Sequence, residues 1–316
     1  MSMRQKIVSG LFLISLVSLC VSCESSSSSS NDGGSVILNE YELTGTWAGY
    51  FLFGDDDKNR NSVSEFDYDA DDIFTVGMIT LEGQARFVGD VSQFVCLENS
   101  LGVYDFGSRK RFSSYDFYLY TWNTDGVSGT GPDDYAATVK SVYLLGDSML
   151  ENSFLEGVYS YPPDGDQWLF QLLSYATNVF ADVEKLEGEW EINNSFVYGK
   201  DGDDEYINTL TLTVDPTSDT AGEITGTDTF GNSISGTIVE IHYSDPSLVI
   251  PDTELYDVSL VLSRNIGDPI NLDGLATYIE SMDSSGISLT QTLAIGATDS
   301  ARQHLVTGLA TKKTTE

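Results

Sequence analysis

Apolar and polar residues alternate along much of the chain. The clearest examples are T-L-T-L-T-V (209–214), F-Y-L-Y-T-W (117–122), V-S-L-V-L-S (258–263) and I-S-L-T-Q-T-L (287–293). This period-two pattern is typical of half-buried β-strands. Gly, Asn and Asp recur between such segments at short intervals, as they do in sandwiches and up-and-down barrels. The pattern therefore predicts an all-β protein.

The chain also repeats itself weakly. L-T-G-T-W at 43–47 returns as L-E-G-E-W at 186–190, and F-L-E-G-V-Y-S-Y at 154–161 is similar to N-L-D-G-L-A-T-Y at 271–278. Under this alignment, the matching Gly follows the Trp by 110 residues in the first copy and by 84 in the second, so the first carries 26 more. The repeat predicts two tandem antiparallel β-barrel-like domains. β-Sandwiches are the alternative architecture.

The G-x-W motif that opens each copy, at 45–47 and 188–190, resembles the first motif of the lipocalins and related small β-barrels. The resemblance implies that these residues close one end of each barrel. It also implies a basic residue from the end of the barrel that covers the Trp. In the second copy this residue would be Lys312 or Arg302, and none can be assigned in the first copy.

The N-terminus has the pattern of an export signal. Arg4 and Lys6 precede an apolar run of 15 residues (7–21), which is short for a membrane span of about 20 residues. The following V-S-C-E resembles the lipobox of bacterial lipoproteins, with Cys20 where the family usually has Leu. The resemblance implies that the chain is cleaved before Cys23 and that Cys23 carries diacylglycerol and a further acyl chain such as palmitate.

These features predict four segments: a signal peptide (1–22), a Ser-rich tether (23–40) and barrel-like domains at 41–180 and 181–316. Six consecutive serines in the tether cannot pack into a core. Several acyl chains on one Cys would hold the protein firmly on a membrane. Glu24 follows the Cys in place of the family's usual retention signal, Asp, so the resemblance implies the outer membrane of the cell envelope, on either face.

Composition excludes several functions. Asp and Glu number 49 against 15 Lys and Arg, and the formal net charge of −34 is incompatible with binding a nucleic-acid backbone. Only two His are present, which excludes a multi-His zinc site. After cleavage, Cys96 is the one Cys besides the lipid-bearing residue, so no internal disulfide forms between free thiols.

An acidic segment follows the first strand of each copy, at 54–72 and 200–205. In the first, oxygen-bearing residues at alternate positions resemble the start of an EF-hand calcium loop, since Ca²⁺ takes about 6–8 oxygen ligands. Arg60 stands where the loop has Gly, and Phe66 where it has Glu. The predicted Ca²⁺ ligands are Asp55, Asp57, Asn59, Asn61, Asp201 and Asp203. The alternative is a pair of solvated loops that keep the protein soluble.

Two further segments suggest chemistry. Tyr118, Tyr120 and Trp122 alternate on one predicted strand and are candidates for a sugar-stacking face, although such rings also pack cores. G-D-S-M-L at 146–150 resembles the Ser block of the GDSL esterases, with Ser148 as the nucleophile. That family also needs D-x-x-H, which is absent.

The sequence thus predicts a non-catalytic, lipid-anchored lipoprotein of the cell envelope that acts as a binding or interaction module. Its partner would be a glycan or another envelope protein. Three alternatives remain: a calcium-stabilised carbohydrate-binding or adhesive surface protein, a lipocalin-like carrier of a small apolar ligand, and an esterase-type hydrolase.

Overall fold

The structure is a computed structural model. It describes residues 43–52, 73–89, 92–96, 102–106, 109–123, 136–149, 154–161, 166–175, 182–199, 206–229, 231–243, 254–264, 267–282, 289–301 and 304–313. The predicted signal peptide, the tether and both acidic segments lie outside these residues.

The first half of the chain forms one antiparallel sheet. Its strands are β1 (Gly45–Phe51), β2 (Ile73–Ile79), β3 (Ala85–Gly89), β4 (Ser92–Cys96), β5 (Gly102–Phe106), β6 (Arg109–Asn123), β7 (Ala136–Met149), β8 (Phe154–Tyr161) and β9 (Asp166–Ser174). Their order is β4-β3-β2-β1-β9-β8-β7-β6-β5.

The first sheet closes through β4 and β6. β4 pairs with residues 117–121 of β6, and β5 pairs with residues 109–113 of the same strand. β4 and β5 therefore lie one after the other along a single edge of β6. A register shift between Ser114 and Phe117 falls at the junction. Because β4 also pairs with β3, the strands form a complete ring, which we call the first barrel.

The second half forms a closed barrel in which each strand neighbours the next in sequence. Its strands are β10 (Gly188–Gly199), β11 (Tyr206–Ser218), β12 (Ala221–Asp228), β13 (Ser233–Glu240), β14 (Leu255–Ser263), β15 (Ile270–Met282), β16 (Leu289–Thr298) and β17 (His304–Lys312). β10 pairs with β17 and closes the ring, which we call the second barrel. A 3₁₀ turn, Val183–Leu186, precedes β10.

Strand alternation sends apolar side chains into both barrels. In β12, for example, Ile224 is buried between exposed Glu223 and Thr225. All eight strands contribute to the interior of the second barrel, whose largest side chains are Trp190, Tyr256 and Tyr278. The interior of the first barrel is mainly aromatic: Trp47, Phe51, Phe87, Phe112, Phe117, Tyr159 and Phe170 are all buried there. Each such residue contributes roughly 1.5–3 kcal/mol by leaving water.

The outer faces of the two barrels pack against each other. Met78 and Val88 of the first barrel form a buried cluster with Leu255 and Leu275 of the second. Val76 packs in the same way against Ile279 and Ala294. Parts of β15, β16 and β17 are therefore buried on both faces, which explains why L-A-T-Y-I of β15 and L-A-I-G-A of β16 are apolar at nearly every position.

The predicted fold class is confirmed: the protein is all-β, with two tandem antiparallel barrel-like units, and the second is a closed barrel and not a sandwich. The predicted alignment of the repeats is wrong. β9 and β17 are equivalent, because each pairs with the first strand of its barrel, opposite the Trp. Segment 154–161 is thus the penultimate strand of its copy, whereas 271–278 lies one strand earlier.

The corrected alignment brings the two copies close in length. Ser174 follows Trp47 by 127 residues (174 − 47), and Lys312 follows Trp190 by 122 (312 − 190), so the difference is 5 and not 26. Period-two strands resemble one another in sequence, and hydrogen-bond pairing is what identifies equivalent positions.

Among the described residues, no helix is long and apolar enough to cross a membrane.

Candidate functional site

Both barrels are closed at one end by the same Trp contact. The indole Nε1 of Trp47 donates to the carbonyl of Leu43 at 3.0 Å, and that of Trp190 donates to the carbonyl of Leu186 at 2.7 Å. Between the Leu and the Trp of each copy lies a Gly with a positive φ, which L-residues rarely tolerate. The angle is 136° in Gly45 and 119° in Gly188. The closing role implied by the G-x-W motif thus has a geometric basis in each copy.

The 3₁₀ turn seals this end of the second barrel. The Asp182 carboxylate accepts a hydrogen bond from Glu184 N at 2.9 Å and begins the turn. The Asp182 amide in turn donates to the hydroxyl of Tyr256 at 3.1 Å. Because Tyr256 projects from the barrel interior, this contact fixes the turn over the barrel end. Burial raises the pKa of Tyr256, so the hydroxyl keeps its proton at neutral pH.

Lys312 completes the closed end. Its Nζ lies 5.3 Å from the centroid of the Trp190 ring and donates to the carbonyl of Lys185 at 3.0 Å. Of the two basic residues proposed to cover this Trp, the structure therefore assigns the role to Lys312, and Arg302 lies outside the described residues. In the first barrel the position opposite Trp47 is Ser174, which explains why no basic residue could be assigned there.

A buried carboxylate lies beside this closed end. Glu254 is only 4% exposed, and its Oε1 lies 3.1 Å from Lys185 Nζ. Burial raises the pKa of Glu254, while the hydrogen bond and the charge of Lys185 lower it. A buried charge is tolerated only when it is paired, so this ion pair holds the 3₁₀ turn on the start of β14.

The same region contacts the first barrel. The Thr277 hydroxyl donates to the Glu254 carbonyl at 2.6 Å, and its oxygen lies 2.7 Å from the Thr46 hydroxyl. Tyr175 donates to the backbone carbonyl of Glu280. Tyr278 donates to the Glu280 carboxylate at 2.5 Å, and burial, followed by this hydrogen bond, raises the Tyr278 pKa.

The chemistry available at this closed end is structural. Its hydroxyls and carboxylates bind backbone groups, one lysine or one another, and no nucleophile–base pair occurs there among the described residues. Nor do the described His, Cys, Asp and Glu include a cluster that would hold a metal ion. Sequence reasoning did not single out Lys185, Glu254 or Thr277. The apolar run at 275–279, which indicates a strand buried on both faces, is the signal that would have found Thr277, whereas no local sequence signal points to Lys185 or Glu254.

Several predicted site residues lie outside the described residues. They are Cys23 and the six proposed Ca²⁺ ligands, Asp55, Asp57, Asn59, Asn61, Asp201 and Asp203. The chain enters each acidic segment from the end of the first strand of its barrel, after Leu52 and after Gly199. This end is opposite the one that the Trp closes.

The aromatic segment lies on β6. Tyr118 is half-buried, and its backbone lies between β4 and β7, opposite Val95 and Ser141. Tyr120 and Trp122 follow at two-residue intervals on the same strand. The three positions thus alternate along a single strand, as the sequence predicts. The sugar-stacking role stays a prediction.

Ser148, the nucleophile of the esterase hypothesis, lies in the first barrel, whereas Asp299 and His304, whose spacing comes nearest to the D-x-x-H that this family needs, lie in the second. Ser148 is on β7, opposite Leu155 of β8. His304 begins β17, where its backbone amide donates to Asp299 Oδ1 at 2.8 Å and its Nδ1 lies 3.3 Å from Asp299 Oδ2. Asp299 and His304 therefore form a local contact that ends the β16–β17 connection.

No protein-family model matches the chain, and no curated protein matches it. Among solved structures, the chain is similar to a crystal structure from Bacteroides fragilis NCTC 9343 described as a "putative outer membrane protein". The two share 12% sequence identity, with 87% of this chain and 100% of that chain covered, and the TM-score is 0.23.

Proposed function

We propose that the protein is a lipid-anchored envelope lipoprotein whose two docked barrels act as a non-catalytic interaction module. The observation that carries this proposal is that both barrel interiors are occupied by the protein's own side chains, including Trp190, Tyr256 and Tyr278 in the second. A partner would then bind the outer faces or the loops. An acylated Cys23 followed by a serine tether would hold the barrels at a distance from the bilayer.

The closed end of the second barrel also supports a lipocalin-like origin. A G-x-W strand and a lysine over the Trp occur together there, as that resemblance implies, and a 3₁₀ turn precedes the strand. The carrier function that goes with the resemblance has less support, because side chains from every strand of the second barrel meet in its interior. We therefore propose the lipocalin-like architecture without the carrier function.

One experiment tests both parts of the proposal. The full chain and Cys23→Ala would be expressed in a diderm bacterium, fractionated, and weighed by native mass spectrometry after gentle purification. We expect the full chain in the outer-membrane fraction, with a mass that exceeds the chain from Cys23 onward by a diacylglycerol and an acyl group. Cys23→Ala would leave that fraction and lose the added mass.

Two results would contradict the proposal. If Cys23→Ala stayed in the membrane fraction with an unchanged mass, the anchor would be elsewhere. If a small apolar molecule stayed bound in both proteins, the carrier alternative would replace the interaction module. Hydrolysis of short ester substrates that disappears in Ser148→Ala would instead establish an enzyme.

A further inference from the structure

A continuous series of polar contacts runs from the closed end of the second barrel to the first barrel. It begins at Lys312, whose Nζ donates to the Lys185 carbonyl at 3.0 Å. The Lys185 ammonium in turn contacts Glu254 Oε1 at 3.1 Å. Lys312, which covers Trp190, is therefore connected through Lys185 to Glu254, the residue that precedes β14.

The series continues across the barrel interface. The Glu254 carbonyl accepts the hydrogen bond of Thr277 Oγ1 at 2.6 Å. Since the single hydroxyl proton of Thr277 is used in this contact, the 2.7 Å contact with Thr46 requires Thr46 to donate. A residue of the first barrel thus supplies the last hydrogen bond of the series.

The surroundings make these bonds strong. Thr277 is fully buried and Thr46 is 5% exposed. The apolar contact between Val76 of β2 and Ile279 of β15 lies close by. Water cannot replace a lost partner at such a place, so each broken bond leaves a buried polar group unpaired. Loss of the contact at either end then raises the free energy of the groups that remain.

We propose that Glu254 and Thr277 couple the closure of the second barrel to the docking of the first. Separation of the barrels removes the hydrogen bond from Thr46 and loosens the 3₁₀ turn over Trp190. Loss of the turn, in the other direction, leaves Glu254 without its cation and weakens the docking. The coupling depends on neither the lipid anchor nor a ligand.

The test is hydrogen–deuterium exchange on the full chain in detergent, read by mass spectrometry of its peptides. Thr46→Val removes the hydroxyl at nearly constant volume. We expect about a fivefold faster exchange, the effect of one lost buried hydrogen bond, in peptides that cover Val183–Leu186 as well as in those that cover β1. Thr46→Ser keeps the hydroxyl and should exchange like the natural protein.

The reciprocal variant starts from the other end. Lys312→Met removes the donor to the Lys185 carbonyl and should speed exchange in β1, on the far side of the interface. The proposal fails if Thr46→Val accelerates exchange in β1 alone while the 3₁₀ turn is unchanged. It also fails if Lys312→Met affects the closed end without any change in the first barrel.

Discussion

The hydroxyls of Thr46 and Thr277 lie 2.7 Å apart although 231 residues separate them in the chain. Their contact shows that the tandem barrels dock through non-equivalent faces, β1–β3 of the first against β14–β17 of the second. The face of the second barrel that corresponds to β1–β3 exposes Glu189, Thr213 and Thr225. That face is therefore polar where the docking face of the first barrel is apolar.

Lys312 should stabilise the second barrel measurably. We expect Lys312→Met to lower the free energy of unfolding by about 1–2 kcal/mol, since it removes a cation–π contact and a charge-assisted hydrogen bond. Urea unfolding followed by circular dichroism measures the change. Lys313→Met is the matched control, because Lys313 is an exposed neighbour that contacts Glu189 and Glu191 on the surface. An equal loss in both variants would contradict the role given to Lys312.

The indole hydrogen bond should matter equally in both copies. Trp47→Phe and Trp190→Phe each keep an aromatic ring but leave the carbonyl of Leu43 or Leu186 without its donor. We expect a loss of about 1 kcal/mol in each case, plus the effect of the smaller ring. Trp168→Phe, at a partly buried position, serves as the comparison. If neither closing Trp cost more than Trp168, the shared closing contact would be incidental to stability.

Asp257 should make stability depend on pH. Burial raises its pKa above the ordinary value of 3.8, and the charges of Glu82 and Asp273 raise it further. A carboxyl with a raised folded-state pKa binds its proton more tightly in the folded protein. Its contribution to stability is therefore complete below pH 3.8 and is lost as the pH rises through the folded-state pKa.

The variant Asp257→Asn removes this penalty. We expect a higher Tm than the natural protein at pH 7 and no difference near pH 3, by scanning calorimetry. Asp268→Asn, at an exposed position before β15, should leave the Tm unchanged at both pH values. A gain in Asp257→Asn that persisted undiminished at pH 3 would show that its cause is not the charge.

Calcium should stabilise the protein if the acidic segments bind it. At a concentration 100 times its Kd, a ligand specific for the folded state adds about 2.7 kcal/mol, which shifts the thermal transition visibly. We expect this shift in millimolar calcium, its reversal by a chelator, and its loss in the Asp55→Ala/Asp57→Ala double variant. An unchanged transition in calcium would assign those acids to solvated loops.

The strands themselves could be predicted locally. Alternation at 209–214 and 258–263 identified β11 and β14, and the repeated G-x-W located the start of each barrel and its closing Trp. The equivalence of β9 and β17 could not be predicted in this way, because strands that alternate with period two look alike whichever neighbour they pair with. Glu254 was missed for a related reason: nothing around it in sequence indicates that Lys185 lies 3.1 Å away.

The sequence by itself determined the all-β class, the duplication and the Trp at the closed end of each copy, since side-chain period and a Gly with positive φ are properties of a few adjacent residues. The tertiary structure alone decided which strands close each ring, that Lys312 covers Trp190, and that Thr46 meets Thr277. The contacts of Lys312 with Trp190 and of Thr46 with Thr277 join residues more than a hundred positions apart, and the second forms only where each closed sheet offers an apolar outer face for the other to cover.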